Sequence, residues 1–200
     1  MKNYFIGLTL APSSTVDSGI AVVDRNNEII FMDKFYTIDD IKHFLLNFSS
    51  LKDAYLCVSL PKDNTMINGK WRLVSKGYQM VNFNKNIQNR ENWTQRFSSR
   101  GSEFFRVLAE EKGISISRFD IYSTRGAMNL VSHLKERSPA DCKFLQNILK
   151  MDYGFYNLPS NMVPMAQLEA LIGAILARRI DSGLASAPFF KFQNLDVIRF

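Results

Sequence analysis

The chain is poor in the residues that staple small scaffolds or hold soft metals: it has two cysteines and two histidines among 200 residues. Cys57 falls in an apolar run and Cys142 in a helical pattern, and neither has a partner at metal-ligand spacing. A disulfide framework and a Cys/His zinc site are excluded, and the usage fits a reducing, cytoplasmic setting. His43 and His133 fall in separate expected helices, far apart in the chain. No Gly-x-Ser-x-Gly elbow, phosphate loop or dinucleotide glycine fingerprint occurs, which leaves serine-triad hydrolysis and nucleotide cradling without a basis. No apolar run is long enough to span a bilayer, so no membrane role is expected. Lys2 precedes an apolar run that reaches Ala11, but no small-residue cleavage pattern follows it, and export is not expected. Internal repeats and low-complexity runs are also missing.

A hydrophobic content of 46% in a chain of this length is enough for one domain with a core that needs no staples. The formal charge of +6 is unevenly spread. Lys62 to Arg106 holds nine basic residues against three acidic ones, which equals the whole excess. The rest of the chain is near neutral.

Tyr4 to Ala11 reads as a strand buried on both faces, with Gly7 thinning its middle and Thr9 its one polar side chain. Pro12 ends it. Ile20–Asp24 and Ile29–Phe35 follow as two further strands around Asn26-Asn27, since asparagine tolerates the positive φ of tight hairpins. Thr37 caps a helix whose Ile41, Phe44, Leu45 and Phe48 share one face. Ala54–Leu60 is a second apolar strand, stopped by Pro61, and a helix between buried strands requires it to run parallel to one of the first three. A further helix runs from Ser102 to Lys112. Strand character covers Ile114–Tyr122, a helix is expected from Thr124 to about Arg137, and Ser138-Pro139-Ala140-Asp141 opens another. The last helix starts near Pro164 and ends at Gly183. It carries a stripe of small residues, Ala166, Ala170, Gly173, Ala174 and Ala177, which allows a close approach to whatever it packs on. Glu169 lies at the edge of that stripe. The domain is expected over 1–184, with an apolar tail over 185–200 that packs on the body or on a partner protein.

Between about 62 and 101 neither period is sustained, which is long for a plain connection and usual for a functional loop. Lys70, Arg72, Lys76, Lys85, Arg90, Arg96 and Arg100 are interleaved there with Trp71 and Trp93. Cations neutralise phosphates and indole rings stack on unpaired bases, so the segment is a candidate nucleic-acid surface favouring single-stranded or branched forms. A solvated insertion anchored by its aromatics is the competing reading.

Three meander strands, a helix, a strand, a helix, a strand and a terminal helix is the order of the ribonuclease H-like fold. Four short motifs carry a closer resemblance: Ile6-Gly7-Leu8-Thr9, Val58-Ser59-Leu60-Pro61, Phe119-Asp120-Ile121-Tyr122 and Leu168-Glu169-Ala170-Leu171-Ile172-Gly173-Ala174. The chain resembles the predicted ribonuclease H-like nucleases related to RuvC-type resolvases. The resemblance implies an α/β fold: a mixed five-stranded sheet, a three-strand meander plus two parallel strands, flanked by helices. It also implies four acid positions that hold paired Mg²⁺ or Mn²⁺ ions for phosphodiester hydrolysis. Asp120 and Glu169 keep two of them, while Thr9 and Ser59 replace the other two. A hydroxyl is a neutral ligand and cannot supply the charge that holds two dications together. Asp17 and Asp63, just past the first and fourth strands, are further candidate metal ligands at the sheet's carboxyl edge, although ordinary loop acids would look the same. The expectation is a nuclease-related protein without a working metal pair that binds nucleic acid. An active Mg/Mn-dependent nuclease and a protein-interaction module are the alternatives.

Overall fold

The first strand, β1 (Tyr4–Thr9), is buried from Phe5 onward and is the middle strand of five. This structure is a computed structural model that describes residues 1–11, 17–59, 66–67, 70–71, 105, 108–109, 112–119 and 121–184. β2 (Ser18–Asp24) and β3 (Ile29–Phe35) complete the antiparallel meander. Asn27 takes the positive φ in the turn between them, and Asp24 accepts the backbone N–H groups of Asn26 and Glu28, each at 2.8 Å. α1 (Ile38–Asn47) crosses to β4 (Ala54–Ser59), which runs parallel to β1. The Thr37 hydroxyl accepts from the Asp40 amide and caps α1. β7 (Ser115–Phe119) lies parallel to β4 at the sheet edge, giving the order β3-β2-β1-β4-β7. A separate two-stranded ribbon pairs β5 (Met66–Ile67) with β6 (Lys70–Trp71).

Strand alternation sorts the core into two halves. Ile6, Leu8, Ile20, Val22, Leu56 and Val58 face α1, and share that half with Phe105 and Leu108. Phe5, Ala21, Val23, Cys57 and Phe119 face the opposite layer, built from α3 (Pro139–Met151) and α4 (Met165–Asp181). α3 starts as its sequence requires: Ser138 accepts from the Asp141 amide, and proline sits in the first turn.

Two expectations from the sequence need correction. The strand stops at Phe119, where its pairing with Ser59 ends, and Ile121 and Tyr122 belong to α2 (Ile121–Ala127). The helix expected from Thr124 to Arg137 therefore begins earlier and closes at Ala127. Its end is a Schellman motif: Asn129 adopts φ 57°, and the Leu130 amide donates to Arg125 O at 2.8 Å. His133 consequently lies outside any helix. The helix expected up to Lys112 is described at Phe105, Leu108, Ala109 and Lys112, and Gly113, with φ 65°, closes it.

Candidate functional site

α4 runs back along β1. At its start the Thr9 hydroxyl donates to Ala166 O at 3.0 Å, and at its far end Asp181 accepts the Lys2 amide at 2.8 Å. The first turns of α4 therefore cover the carboxyl ends of β1 and β4. The small-residue stripe makes this approach possible. A Cβ on Gly7 would overlap the carbonyl oxygen of Ala170, and one on Gly19 would overlap that of Ala166. Helix backbone rests directly on strand backbone.

Thr9 and Ser59 are register partners at the ends of adjacent parallel strands, and both are buried. Thr9 Oγ1 also accepts the Gly19 amide at 3.3 Å, so its hydroxyl is committed as donor and as acceptor. Glu169 stands one turn beyond Ala166 on the same helix and is only 3% exposed. Arg137 Nη1 straddles its carboxylate, at 3.0 Å from one oxygen and 2.9 Å from the other.

Arg137 is held from behind. Its backbone has φ 58°, uncommon for a residue with a side chain, and its N–H donates to Asp141 Oδ2 at 3.0 Å. Asp141 is 1% exposed and also accepts Arg125 Nη2 at 2.9 Å and the Ser132 hydroxyl at 2.7 Å. Arg125 is itself buried and spends Nε on Leu130 O, the carbonyl that follows the end of α2. Two acids and two arginines thus alternate in space from α2 through the 130–138 turns to α4.

Electrostatics separates the two acids. Burial pushes the Asp141 carboxyl up, but the Ser132 hydroxyl, Arg125 and the Arg137 amide outweigh it, leaving the group below the usual carboxylate range. Burial raises Glu169 above its ordinary value, and the Arg137 and Arg125 charges pull back only in part. Desolvation works against the Arg137 cation, yet the Glu169 charge prevails and strengthens it. Tyr122 is held protonated by burial, by its hydrogen bond with Glu136 and by the nearby Glu169 charge.

Of the residues singled out from sequence, Thr9, Ser59 and the helix bearing Glu169 come together. Asp120 and Asp63 lie outside the described residues, as do Arg72, Lys76, Lys85, Arg90, Trp93, Arg96, Arg100 and the 185–200 tail. Lys70 and Trp71 are on β6 of the ribbon, opposite Ile67 and Met66. Asp17 is half-buried just before β2, and its charge acts on Lys34 of β3. Arg125, Ser132 and Arg137 were not foreseen, and Asp141 was read only as a first-turn helix acid. Their partners come from separate turns, so no local spacing marks them.

Paired divalent ions need several anionic oxygens converging on one point. Among the described residues no group of three or more His, Cys, Asp or Glu side chains could hold a metal ion. Thr9 is neutral and doubly bonded, Ser59 is neutral, and Glu169 is already matched with a cation. The donors among the described residues do not by themselves fit a two-metal centre.

The same overall fold occurs in a known protein. The Thermus thermophilus RuvC structure superposes with a TM-score of 0.53 at 11% identity, covering 93% of this chain and 99% of that one. The chain has the ribonuclease H-like fold of RuvC. A second structure, T. thermophilus RuvC in complex with Holliday junction substrate, gives a TM-score of 0.49 at 9% identity over 92% of this chain and 98% of that one. No protein-family model and no curated protein sequence matches the chain. Beside the RuvC fold, the chain has no helix among its described residues that is long and apolar enough to cross a membrane.

Proposed function

We propose that this chain is a RuvC-related, nuclease-derived protein that binds nucleic acid without cutting it. The observation that carries the reading is the straddling contact of Arg137 on Glu169, the one described carboxylate among the four positions of the resemblance. A guanidinium neutralises that acid permanently, because arginine does not deprotonate at any physiological pH. Thr9, already bonded to Ala166 O and the Gly19 amide, offers no anionic oxygen beside it.

Binding would fall to the basic segment between Lys62 and Arg106, where the whole net charge of the protein resides. Phosphate neutralisation supplies affinity there, and Trp71 and Trp93 supply stacking surface for unpaired bases, favouring single-stranded or branched substrates. Two buried, free thiols, Cys57 and Cys142, are compatible with work in the cytoplasm. The tail from 185 onward is a second contact, toward a protein partner.

The test is incubation with end-labelled single strand, duplex, RNA–DNA hybrid and four-way junction in Mg²⁺ or Mn²⁺. Retention of the nucleic acid without product is expected. Chelator-sensitive cutting that disappears in Glu169→Gln would overturn the reading in favour of an active nuclease using Asp17, Asp63, Asp120 and Glu169. Absence of binding even at low salt would instead favour the protein-interaction module.

A further inference from the structure

We infer that Arg137 is a built-in cation that takes the place of a divalent ion against Glu169, so that this end of the sheet is stable without metal. The inference deepens the proposed loss of cleavage and rests on its placement of Glu169, although its test does not depend on nucleic acid.

A buried carboxylate needs a partner, because an unpaired charge out of water is strongly disfavoured. Glu169 is 3% exposed, on a helix whose backbone is pressed tightly against β1. In a two-metal enzyme the ions provide the compensating charge. Here the compensation is delivered by the chain. The guanidinium reaches the carboxylate from the solvent side, its side chain 44% exposed while that of Glu169 is 4% exposed. An ion arriving from solvent at this carboxylate would meet Arg137 first.

The delivery is specific. Arg137 sits immediately before the Ser138 cap, in a left-handed backbone conformation that a side chain normally avoids. Asp141 holds that conformation by accepting the Arg137 N–H, and Arg125 and Ser132 hold Asp141. Three residues thus aim one guanidinium at one carboxylate. A surface arginine pairing by chance would need none of this support. Arg125, whose charge also acts on Glu169, is bonded to Asp141 and Leu130 O and makes no contact of its own with that carboxylate. Among the described residues, Glu136, Tyr122 and Cys142 are further titratable groups coupled to this pair, and none of them is a cation.

The experiment is thermal unfolding at neutral pH with Mn²⁺ titrated against a matched metal-free, chelator-treated control. The unaltered protein should show no Mn²⁺-dependent change in Tm. Arg137→Ala should unfold earlier in chelator and regain roughly 2–4 °C as Mn²⁺ is added, because the freed carboxylate becomes a ligand of the native state only. Glu169→Gln in the Arg137→Ala background should abolish that recovery. Arg137→Lys, which keeps a cation, should stay indifferent to Mn²⁺ and guards against mere misfolding of the alanine variant. A Glu169-dependent Mn²⁺ response already present in the unaltered protein would overturn the inference, and so would an Arg137→Ala protein that stays folded and gains none. Neither result bears on whether nucleic acid is bound, so the two proposals fail separately.

Discussion

Gly173 on α4 lies against Gly7 at the centre of β1: a Cβ added at Gly173 would stand 3.0 Å from the Gly7 Cα and 2.9 Å from Phe119 Cζ. That contact sets the height of α4 above the sheet, and with it the positions of Ala166 and Glu169 over the strand ends.

Gly7→Ala should therefore be among the most damaging single-methyl changes in the protein. The added methyl meets backbone atoms of Ala170 and Ala174, which cannot rotate away, so the cost should reach or exceed the ~1–3 kcal/mol usual for overpacking. Gly126→Ala is the contrast. It is exposed near the end of α2 with nothing within 4 Å of an added Cβ, and should gain about 0.4–1 kcal/mol by restricting the unfolded chain. Urea midpoints measure both.

Asp141→Asn should cost about 3–5 kcal/mol, because it leaves Arg125 buried without its counter-charge. The same substitution should alter the acid limb of the stability curve. Asp141 titrates below the ordinary carboxylate range in the folded protein, so its stabilisation is complete above the unfolded value and is lost as pH falls through the folded one. Asp141→Asn should flatten that loss. Glu169 works in the opposite sense: its folded value is raised, so its term favours the fold most at low pH and declines as pH climbs through the folded value. Chemical denaturation across the acid range in Asp141→Asn and in Glu169→Gln separates the two.

The meander, the crossover and the close-packing stripe were legible in the sequence because each rests on a local pattern: alternation around Asn26-Asn27, period 3.6 from Ile41, and small residues from Ala166. The end of β7 was not. Phe119-Asp120-Ile121-Tyr122 carries apolar residues that suit a strand or a helix, and the choice is made by Ser59, whose pairing ends at Phe119. The acid on the last helix could be read as inward-facing, yet its partner could not. Arg137 is 32 residues away from Glu169 and owes its position to a left-handed backbone stabilised by Asp141. Such a conformation leaves no periodic trace, and Asp141 satisfies the first-turn acid pattern of α3 while acting mainly elsewhere.

Thr9→Val should destabilise by about 1–3 kcal/mol, since the shape is nearly kept while the Gly19 amide and the Ala166 carbonyl each lose the hydroxyl as a partner. Thr9→Ser should recover most of this, because the hydroxyl does the bonding. Equal loss in both variants would mean that the threonine methyl matters more than its hydrogen bonds. Equilibrium unfolding in urea distinguishes the outcomes.

Trp71→Ala and Trp93→Ala should reduce the preference for single strand over duplex by about 1–3 kcal/mol for each stacked base, leaving affinity for duplex nearly unchanged. Competition binding with matched single- and double-stranded oligonucleotides measures this. A fall in Tm with no change in preference would identify the indoles as packing anchors.

The central claim, that the chain binds nucleic acid through charge and does not cut it, is tested most directly by affinity for a labelled single strand across a salt series in the presence of Mg²⁺, with product analysis on the same samples. Log affinity should fall linearly with log salt, the strand should remain intact, and Arg90→Ala, Arg96→Ala and Arg100→Ala combined should flatten the slope by about 0.7 for every phosphate contact removed. A salt-independent affinity, a slope unmoved by the triple substitution, or metal-dependent product would contradict it.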